Sequence, residues 1–168
     1  MFEVHREVHA PVEKVWAVLE DGWSYPSWVV GASRMRAVDA TWPAAGAKLH
    51  HSAGVWPLVL NDETRVKAVE PGRRLVLLAR GRPFGEAVID ITLEPKGDGC
   101  VIRIREDAVS GPGKLIPERV RQTAISARNT ETLRRLGYIA EQRSQPDAGK
   151  GPTAGSRESL AQSKIEPK

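Results

Sequence analysis

Cysteine is nearly absent from this sequence, and long apolar runs are absent altogether. With Cys100 as the only cysteine, no disulfide can form within the chain, and a cysteine-rich metal site is excluded. No segment approaches the roughly 18 consecutive apolar residues of a transmembrane helix, so stable membrane insertion is not expected. The first ten residues, MFEVHREVHA, lack the apolar block of a signal peptide. The absence of disulfides, of a transmembrane segment and of a signal-peptide block predicts a cytoplasmic protein.

The sequence also has little excess charge of either sign. Its 25 basic and 21 acidic residues leave a net charge of +4 within 168 residues, which is the length of about one domain. Basic residues recur two apart, as in Arg34/Arg36 and Arg103/Arg105, and this spacing is typical of the solvent face of a strand. All five tryptophans lie in the first third of the chain, away from most of these pairs. We therefore expect no nucleic-acid partner.

Three features stand at the start of the chain. Residues Phe2–Val8 alternate apolar and charged side chains, which predicts a strand. Pro11 suits the first turn of a helix, and apolar residues at helical spacing extend that helix to about Glu20. The segment DGWSYPSWVVG, residues 21–31, then places three aromatic rings among glycine and proline. A further turn or two of helix is expected around 26–30.

The middle of the chain predicts about six more strands, followed by one long helix. The strands are expected at 34–39, 48–53 continuing into 55–60, 64–69, 74–80, 86–94 and 100–106. The last two are joined by the turn at 95–99 and form an antiparallel hairpin. The helix begins near 116–118 and runs to about Gln142. Antiparallel strands covered by one long helix form an α+β domain, and a curved sheet around one helix leaves a gap at its open end.

The composition changes after Gln142. Residues 143–168 contain no aromatic side chain and only two large aliphatic ones, so they cannot bury enough apolar surface to offset the entropy of ordering. We expect a domain at 1–142 and a disordered tail at 143–168.

Two segments resemble a known superfamily. VHREVHAPVEKVWAVLEDGWSYPSWV near the N-terminus and ARNTETLRRLGYIAE near the end of the long helix are similar to the helix-grip superfamily of START-type, Bet v 1-like and polyketide cyclase/dehydratase proteins, also called SRPBCC. The resemblance covers residues 1–142. It implies a curved antiparallel sheet of about seven strands around the C-terminal helix, with short helices between the first two strands. It also implies a hydrophobic cavity for lipids, polyketides, sterols or other apolar molecules, but no shared catalytic residue.

The aromatic stretch supplies the first candidate residues. Trp23, Tyr25 and Trp28 can form a gate or a stacking wall for an apolar ligand, or they can plug the end of the core. His50 and His51 are neighbours on a strand, so only one of them can face a cavity. His51 is in phase with Leu49, which favours His51, but nearby glycines permit a bulge that would reverse the phase.

Two charged residues are further candidates. Glu106 continues the face of Ile102 and Ile104, which carries a carboxylate toward the interior, where burial would make it an acid or base. The alternative is a solvated carboxylate at the rim, or one paired with an arginine. Arg80 lies in phase with Val76 and Leu78 and can bind a ligand carboxylate, pair with Glu106, or sit at the rim.

These patterns give two main functional hypotheses, and a third alternative is an interaction protein whose aromatic patch docks a partner. The first is a protein that binds a hydrophobic small molecule, a lipid, polyketide or aromatic metabolite, in its cavity. The second is a cyclase or dehydratase in which Glu106 and a histidine, His50 or His51, exchange protons. Further expected ligand contacts are Trp56, Ile89, Ile104, Val120, Ala124 and Ala127. We expect no cofactor and no metal, because two adjacent strand histidines cannot converge on one ion. The chain is expected to be a monomer or a homodimer.

Overall fold

A computed structural model describes residues 2–55, 57–81, 85–115 and 117–144. Seven strands and three helices are present in this part of the chain. The strands are β1 (Phe2–Val8), β2 (Ala32–Val38), β3 (Lys48–Val55), β4 (Leu58–Glu70), β5 (Arg74–Gly81), β6 (Gly85–Lys96) and β7 (Gly99–Ser110). The helices are α1 (Val12–Glu20), α2 (Tyr25–Trp28) and α3 (Glu118–Gln142), with short 3-10 turns at Gly22–Ser24 and Pro112–Leu115.

The strands form one antiparallel sheet in the order β1-β7-β6-β5-β4-β3-β2. The chain meanders from β2 to β7, and β1 then pairs with β7, so the crossover between β1 and β2 carries α1 and α2. This architecture confirms the predicted α+β helix-grip fold. One connection differs from the prediction. Val55 pairs with Leu58, so a hairpin reverses the chain where one continuous strand was expected, and the segments 58–60 and 64–69 are a single strand, β4.

The two halves of α3 are buried to different extents. In the second half, Leu133, Leu136 and Ala140 are buried in the main core. Gly137 lies against β1, where an added Cβ would sit 2.6 Å from Val8 Cγ1, so the absent side chain permits close packing. In the first half, Val120 is 61% exposed. The second half therefore holds the helix against the sheet, while the first half extends over a space that is not filled.

The expected tail begins where α3 ends, and residues 145–168 lie outside the described residues. The division into a domain and a tail therefore stays a prediction. Among the residues that the structure does describe, no helix combines the length and the apolar character needed to cross a membrane.

Candidate functional site

A hollow of about 460 Å³ lies between the inner face of the sheet and the first half of α3. Its volume is in the range of small-molecule binding sites. The sheet contributes mainly aliphatic side chains, among them Leu77, Ile89, Ile91 and Ile104. The helix contributes Val120, Ala124, Ile125, Arg128 and Asn129. The expected contacts Ile89, Ile104, Val120 and Ala124 all line the hollow.

The hollow exists because the inward side chains of the sheet become smaller toward one end. Leu75, Ile91 and Ile104 are cross-strand neighbours and are fully buried. Four residues farther along each strand, alanines occupy the equivalent inward positions, and Ala79, Ala87 and Ala108 are direct neighbours across β5, β6 and β7. We call these three residues the alanine row. Their methyl groups are too short to reach α3, so the sheet and the helix diverge around empty space.

The aromatic stretch divides between the hollow and the surface. The single turn of α2 places Tyr25 and Trp28 three residues apart on one face, where both are 3% exposed and line the hollow. Their rings meet edge to face with centroids 5.2 Å apart. Trp23 belongs to the preceding 3-10 turn and is 61% exposed, outside the lining. Trp23 was expected to contact the ligand, but it does not line the hollow, because that turn directs the indole into solvent.

His51 lies inside, as its phase with Leu49 indicated. It is 5% exposed, lines the hollow, and its Nε2 is 3.0 Å from the Thr64 hydroxyl. The Tyr25 hydroxyl lies 3.2 Å from the same Thr64 oxygen, so the three polar groups form one buried chain. His50 faces the other side of the sheet, where its Nε2 is 3.6 Å from Asp39. His50 is therefore no candidate for the site, because adjacent residues on a strand point to opposite faces.

Burial controls the protonation of this chain of groups. It lowers the pKa of His51 below its ordinary value, and the charges of Arg36 and His50 act in the same direction, while the Asp62 carboxylate opposes them. Burial likewise raises the pKa of the Tyr25 phenol. Within the part of the chain that is described, His51 Nδ1 and Trp28 Nε1 are buried without a hydrogen-bond partner. At neutral pH, His51 is thus an uncharged imidazole.

The lowered pKa of His51 predicts a loss of stability in acid. Below about pH 6.5 the unfolded chain protonates this histidine and the folded chain resists protonation, so the free energy of unfolding decreases as the pH falls. One such group contributes at most about 1.4 kcal/mol per pH unit. His51→Gln should flatten this decrease between pH 7 and pH 5, measured by urea unfolding at each pH. An equal slope in the variant and the parent would show that His51 is not responsible.

Glu106 is also inside, on the same face of β7 as Ile102 and Ile104. Its side chain is 4% exposed, and its Oε2 accepts hydrogen bonds from Arg128 Nη2 and, at 2.8 Å, from Asn129 Nδ2. Both donors belong to α3, so the carboxylate and the helix meet across the hollow. Burial of the carboxylate was therefore predicted correctly, and of the alternatives left open, pairing with an arginine is the one observed.

The arginine that pairs with Glu106 is Arg128 and not Arg80. Arg80 borders the hollow, but its guanidinium lies on the outer face of the sheet, 3.4 Å from Glu86 and 4.0 Å from Glu63. Arg80 is in phase with Val76 and Leu78, which face outward, while Leu75, Leu77 and Ala79 face inward. Of the alternatives left open for Arg80, the position at the rim is the one observed. On α3, Ala127, another expected ligand contact, is exposed and does not line the hollow. Trp56 lies outside the described residues.

Three polar residues of the site were missed by sequence reasoning. No role was assigned to Arg128 and Asn129 from the sequence, yet Asn129 is 5% exposed and Arg128 lines the hollow. Thr64, which links Tyr25 to His51, was seen only as part of a strand. One signal was available for Arg128, because a buried carboxylate requires a partner and Arg128 shares a helical face with Ile125 and Thr132. In the described ranges, no cluster of three or more histidine, cysteine or acidic side chains is suited to a metal ion.

Comparison with known proteins identifies a family that the sequence matches. A family model described as "Polyketide cyclase / dehydrase and lipid transport" matches residues 1–141. A search of curated proteins finds no match.

Solved structures with the same fold include StfQ, a di-domain ARO/CYC from the steffimycin biosynthetic pathway, with a TM-score of 0.67 and 16% identity over 84% of this chain. DynU16, from the dynemicin biosynthetic locus, has a TM-score of 0.62 and 21% identity over 84% of this chain. This chain spans 50% and 47% of the lengths of these two proteins. Ara h 8.0201 has a TM-score of 0.62 and 15% identity, with coverage of 82% of this chain and 95% of that one. At these identities the similarity establishes the fold alone.

Proposed function

The chain belongs to the polyketide cyclase/dehydrase and lipid transport family, and on that premise we propose that it binds an apolar small molecule in the hollow beneath α3. The observation that carries the proposal is a 460 Å³ space lined by aliphatic and aromatic side chains, with a few polar groups set into its wall. This combination is characteristic of ligand sites, in which apolar area supplies affinity and isolated polar groups supply orientation. The ligand classes that the family suggests are lipids, polyketides and aromatic metabolites.

The size of the hollow sets the expected affinity. Burial of about 300 Å² of apolar ligand surface gives roughly 7 kcal/mol at about 25 cal/mol per Å². Association costs several kcal/mol of lost translational and rotational freedom. The remainder corresponds to a dissociation constant between micromolar and millimolar for a ligand that makes no polar contact.

A simple aromatic probe tests this function. We expect ethylbenzene to bind the full chain, with saturable shifts of amide resonances confined to residues around the hollow, such as Ile89, Ile104 and Ile125. A rise in melting temperature with ethylbenzene concentration should accompany them, because a ligand that binds only the folded state stabilises it. Native mass spectrometry of the purified chain would reveal a guest acquired from the host. If the amide shifts are absent, or spread over the outer face of the sheet, the proposal is wrong.

A cyclase or dehydratase is the second candidate function. The observation that favours it is the His51–Thr64–Tyr25 chain, which sets an uncharged imidazole in the wall of an otherwise apolar hollow. StfQ, with the same fold, carries the description ARO/CYC. If this chain catalyses aldol cyclisation with loss of water, His51→Gln should reduce turnover of a poly-β-ketoacyl thioester by a factor of about 10² to 10⁴ while ethylbenzene still binds. Absence of turnover in the parent protein would exclude the enzyme and leave the binding function.

The site gives no reason to change the expectations for oligomeric state and for nucleic-acid binding. We propose a monomer or homodimer without a polynucleotide partner, since the site described here is an interior space and makes no use of the mixed surface charge.

A further inference from the structure

The guanidinium of Arg128 is only partly used by the protein. Its Nη2 donates to Glu106 Oε2 and, at 3.2 Å, to Asn129 Oδ1, which occupies both hydrogens of that nitrogen. An arginine carries five N–H donors, so three remain on Nε and Nη1. Within the described ranges these three donors have no acceptor. Arg128 thus presents an open edge with a fixed orientation.

The side of Arg128 that carries these three N–H donors borders the hollow. Arg128, Glu106 and Asn129 all contribute to its lining, and the Arg128 side chain remains 40% exposed although the carboxylate it pairs with is 4% exposed. The guanidinium also lies close enough to Tyr25 for its charge to favour the phenolate. The Glu106 carboxylate and the Asn129 amide therefore fix Nη2 of Arg128. The Nε and Nη1 donors of the guanidinium remain available to a molecule beneath α3.

The charges around the hollow limit what that molecule can be. Glu106 neutralises Arg128, and Glu86 pairs with Arg80 on the outer face. Arg121, two helical turns before Arg128, also borders the hollow and stacks over Phe2 with 5.9 Å between its Cζ and the ring centroid. An anion at Arg128 would lie next to the buried Glu106 carboxylate and would lose its hydration among aliphatic side chains. A neutral carbonyl oxygen carries no net charge, so it is repelled less by the Glu106 carboxylate and loses less hydration free energy than an anion does.

From this geometry we propose that Arg128 anchors the ligand through a carbonyl oxygen, and that Glu106 and Asn129 are positioning residues that orient the guanidinium. The ligand class is an apolar molecule with a ketone, ester or thioester group. This inference rests on the proposed binding function and narrows it. It also assigns Glu106 a role other than acid–base catalysis, because its Oε2 is already engaged by two donors from α3.

Three probes of similar size separate the possibilities. Ethylbenzene has no oxygen, acetophenone has a carbonyl group and benzoate has a carboxylate. We expect Arg128→Met to weaken acetophenone binding by about tenfold or more, the usual effect of losing a hydrogen bond to a charged group. Ethylbenzene binding should stay within about twofold. Because each probe is compared between two proteins, its own hydration cancels. The parent protein should bind benzoate at least about tenfold more weakly than acetophenone.

Two further variants serve as controls, one for misfolding of Arg128→Met and one for a purely structural role of Glu106. Arg128→Met leaves Glu106 buried without its partner, so the double variant Glu106→Gln/Arg128→Met, which carries neither charge, should reproduce the selective loss if the single variant fails to fold. Glu106→Gln alone should weaken acetophenone by about threefold and leave ethylbenzene unchanged, a selectivity that a purely structural role would not produce.

Each outcome has one meaning. Loss of acetophenone but not ethylbenzene binding supports the carbonyl anchor. Equal changes for both probes, or no change for either, overturn it while the binding function stands. Tighter binding of benzoate than of acetophenone in the parent overturns the carbonyl class. If the parent binds none of the three probes, the binding function itself fails, and the anchor fails with it.

Discussion

Replacement of Ala87 by tryptophan should weaken ethylbenzene binding by about a hundredfold. Ala87 is the central member of the alanine row, with Ala79 and Ala108 as its cross-strand neighbours, and it lines the hollow. An indole at this position would project into the space beneath α3 and remove much of the surface that the probe contacts. A loss of about 110 Å² of apolar contact costs about 2.7 kcal/mol at about 25 cal/mol per Å², which is roughly a hundredfold in affinity.

The matched control is the adjacent residue on β6. Val88 points to the outer face and does not line the hollow, so Val88→Trp should leave ethylbenzene affinity within about twofold. Both variants are assayed by amide NMR titration, with urea unfolding to verify that each is folded. If Ala87→Trp is folded and binds ethylbenzene as well as Val88→Trp does, the probe binds somewhere other than beneath α3.

The second large effect concerns stability. Leu136→Ala should lower the free energy of unfolding by about 3 kcal/mol, because Leu136 is fully buried and its truncation leaves a cavity where the second half of α3 meets the core. Val120→Ala, in the first half of the same helix, should cost less than about 0.5 kcal/mol, since Val120 is 61% exposed. Urea unfolding of the two variants measures this difference.

This pair of variants separates the two roles of α3. Leu136→Ala should change ligand affinity little, because Leu136 lies in the second half of α3, away from the hollow. Affinity is measured well below the melting temperature of the variant. If Val120→Ala proves as destabilising as Leu136→Ala, the first half of the helix contributes to the core, and the division of α3 into a holding half and a covering half is wrong.

The sequence predicted those inward residues that lie on a strand with one apolar face. On β7, Cys100, Ile102 and Ile104 fix the phase, so alternation indicated that Glu106 continues the inner face. The phase of Leu49 placed His51 correctly for the same reason. On β5, both Leu75/Leu77 and Val76/Leu78 are apolar, so alternation alone does not identify the inner face. The position of Arg80 was consequently left open between the cavity and the rim. The deciding evidence, its pairing with Glu63 and Glu86 on neighbouring strands, exists only in the folded sheet.

The polar groups on α3 were missed for a different physical reason. A helix that covers a packed core shows an apolar stripe, and its polar residues face solvent. The first half of α3 covers a hollow, so Arg128 and Asn129 can face inward, where Glu106 supplies hydrogen-bond partners. Trp23 and Tyr25 raised a related difficulty, because the boundary between the 3-10 turn and α2 decides which ring is buried, and two residues of sequence separate opposite outcomes.

The position of a bound guest molecule shows most directly whether the space beneath α3 is a ligand-binding site. Crystals of the full chain soaked in 1-bromo-4-ethylbenzene would locate the bromine by its anomalous scattering. We expect a bromine peak beneath α3, between the alanine row and Ile125. Density in which side chains fill that space, or bromine bound only on the outer face of the sheet, would contradict it.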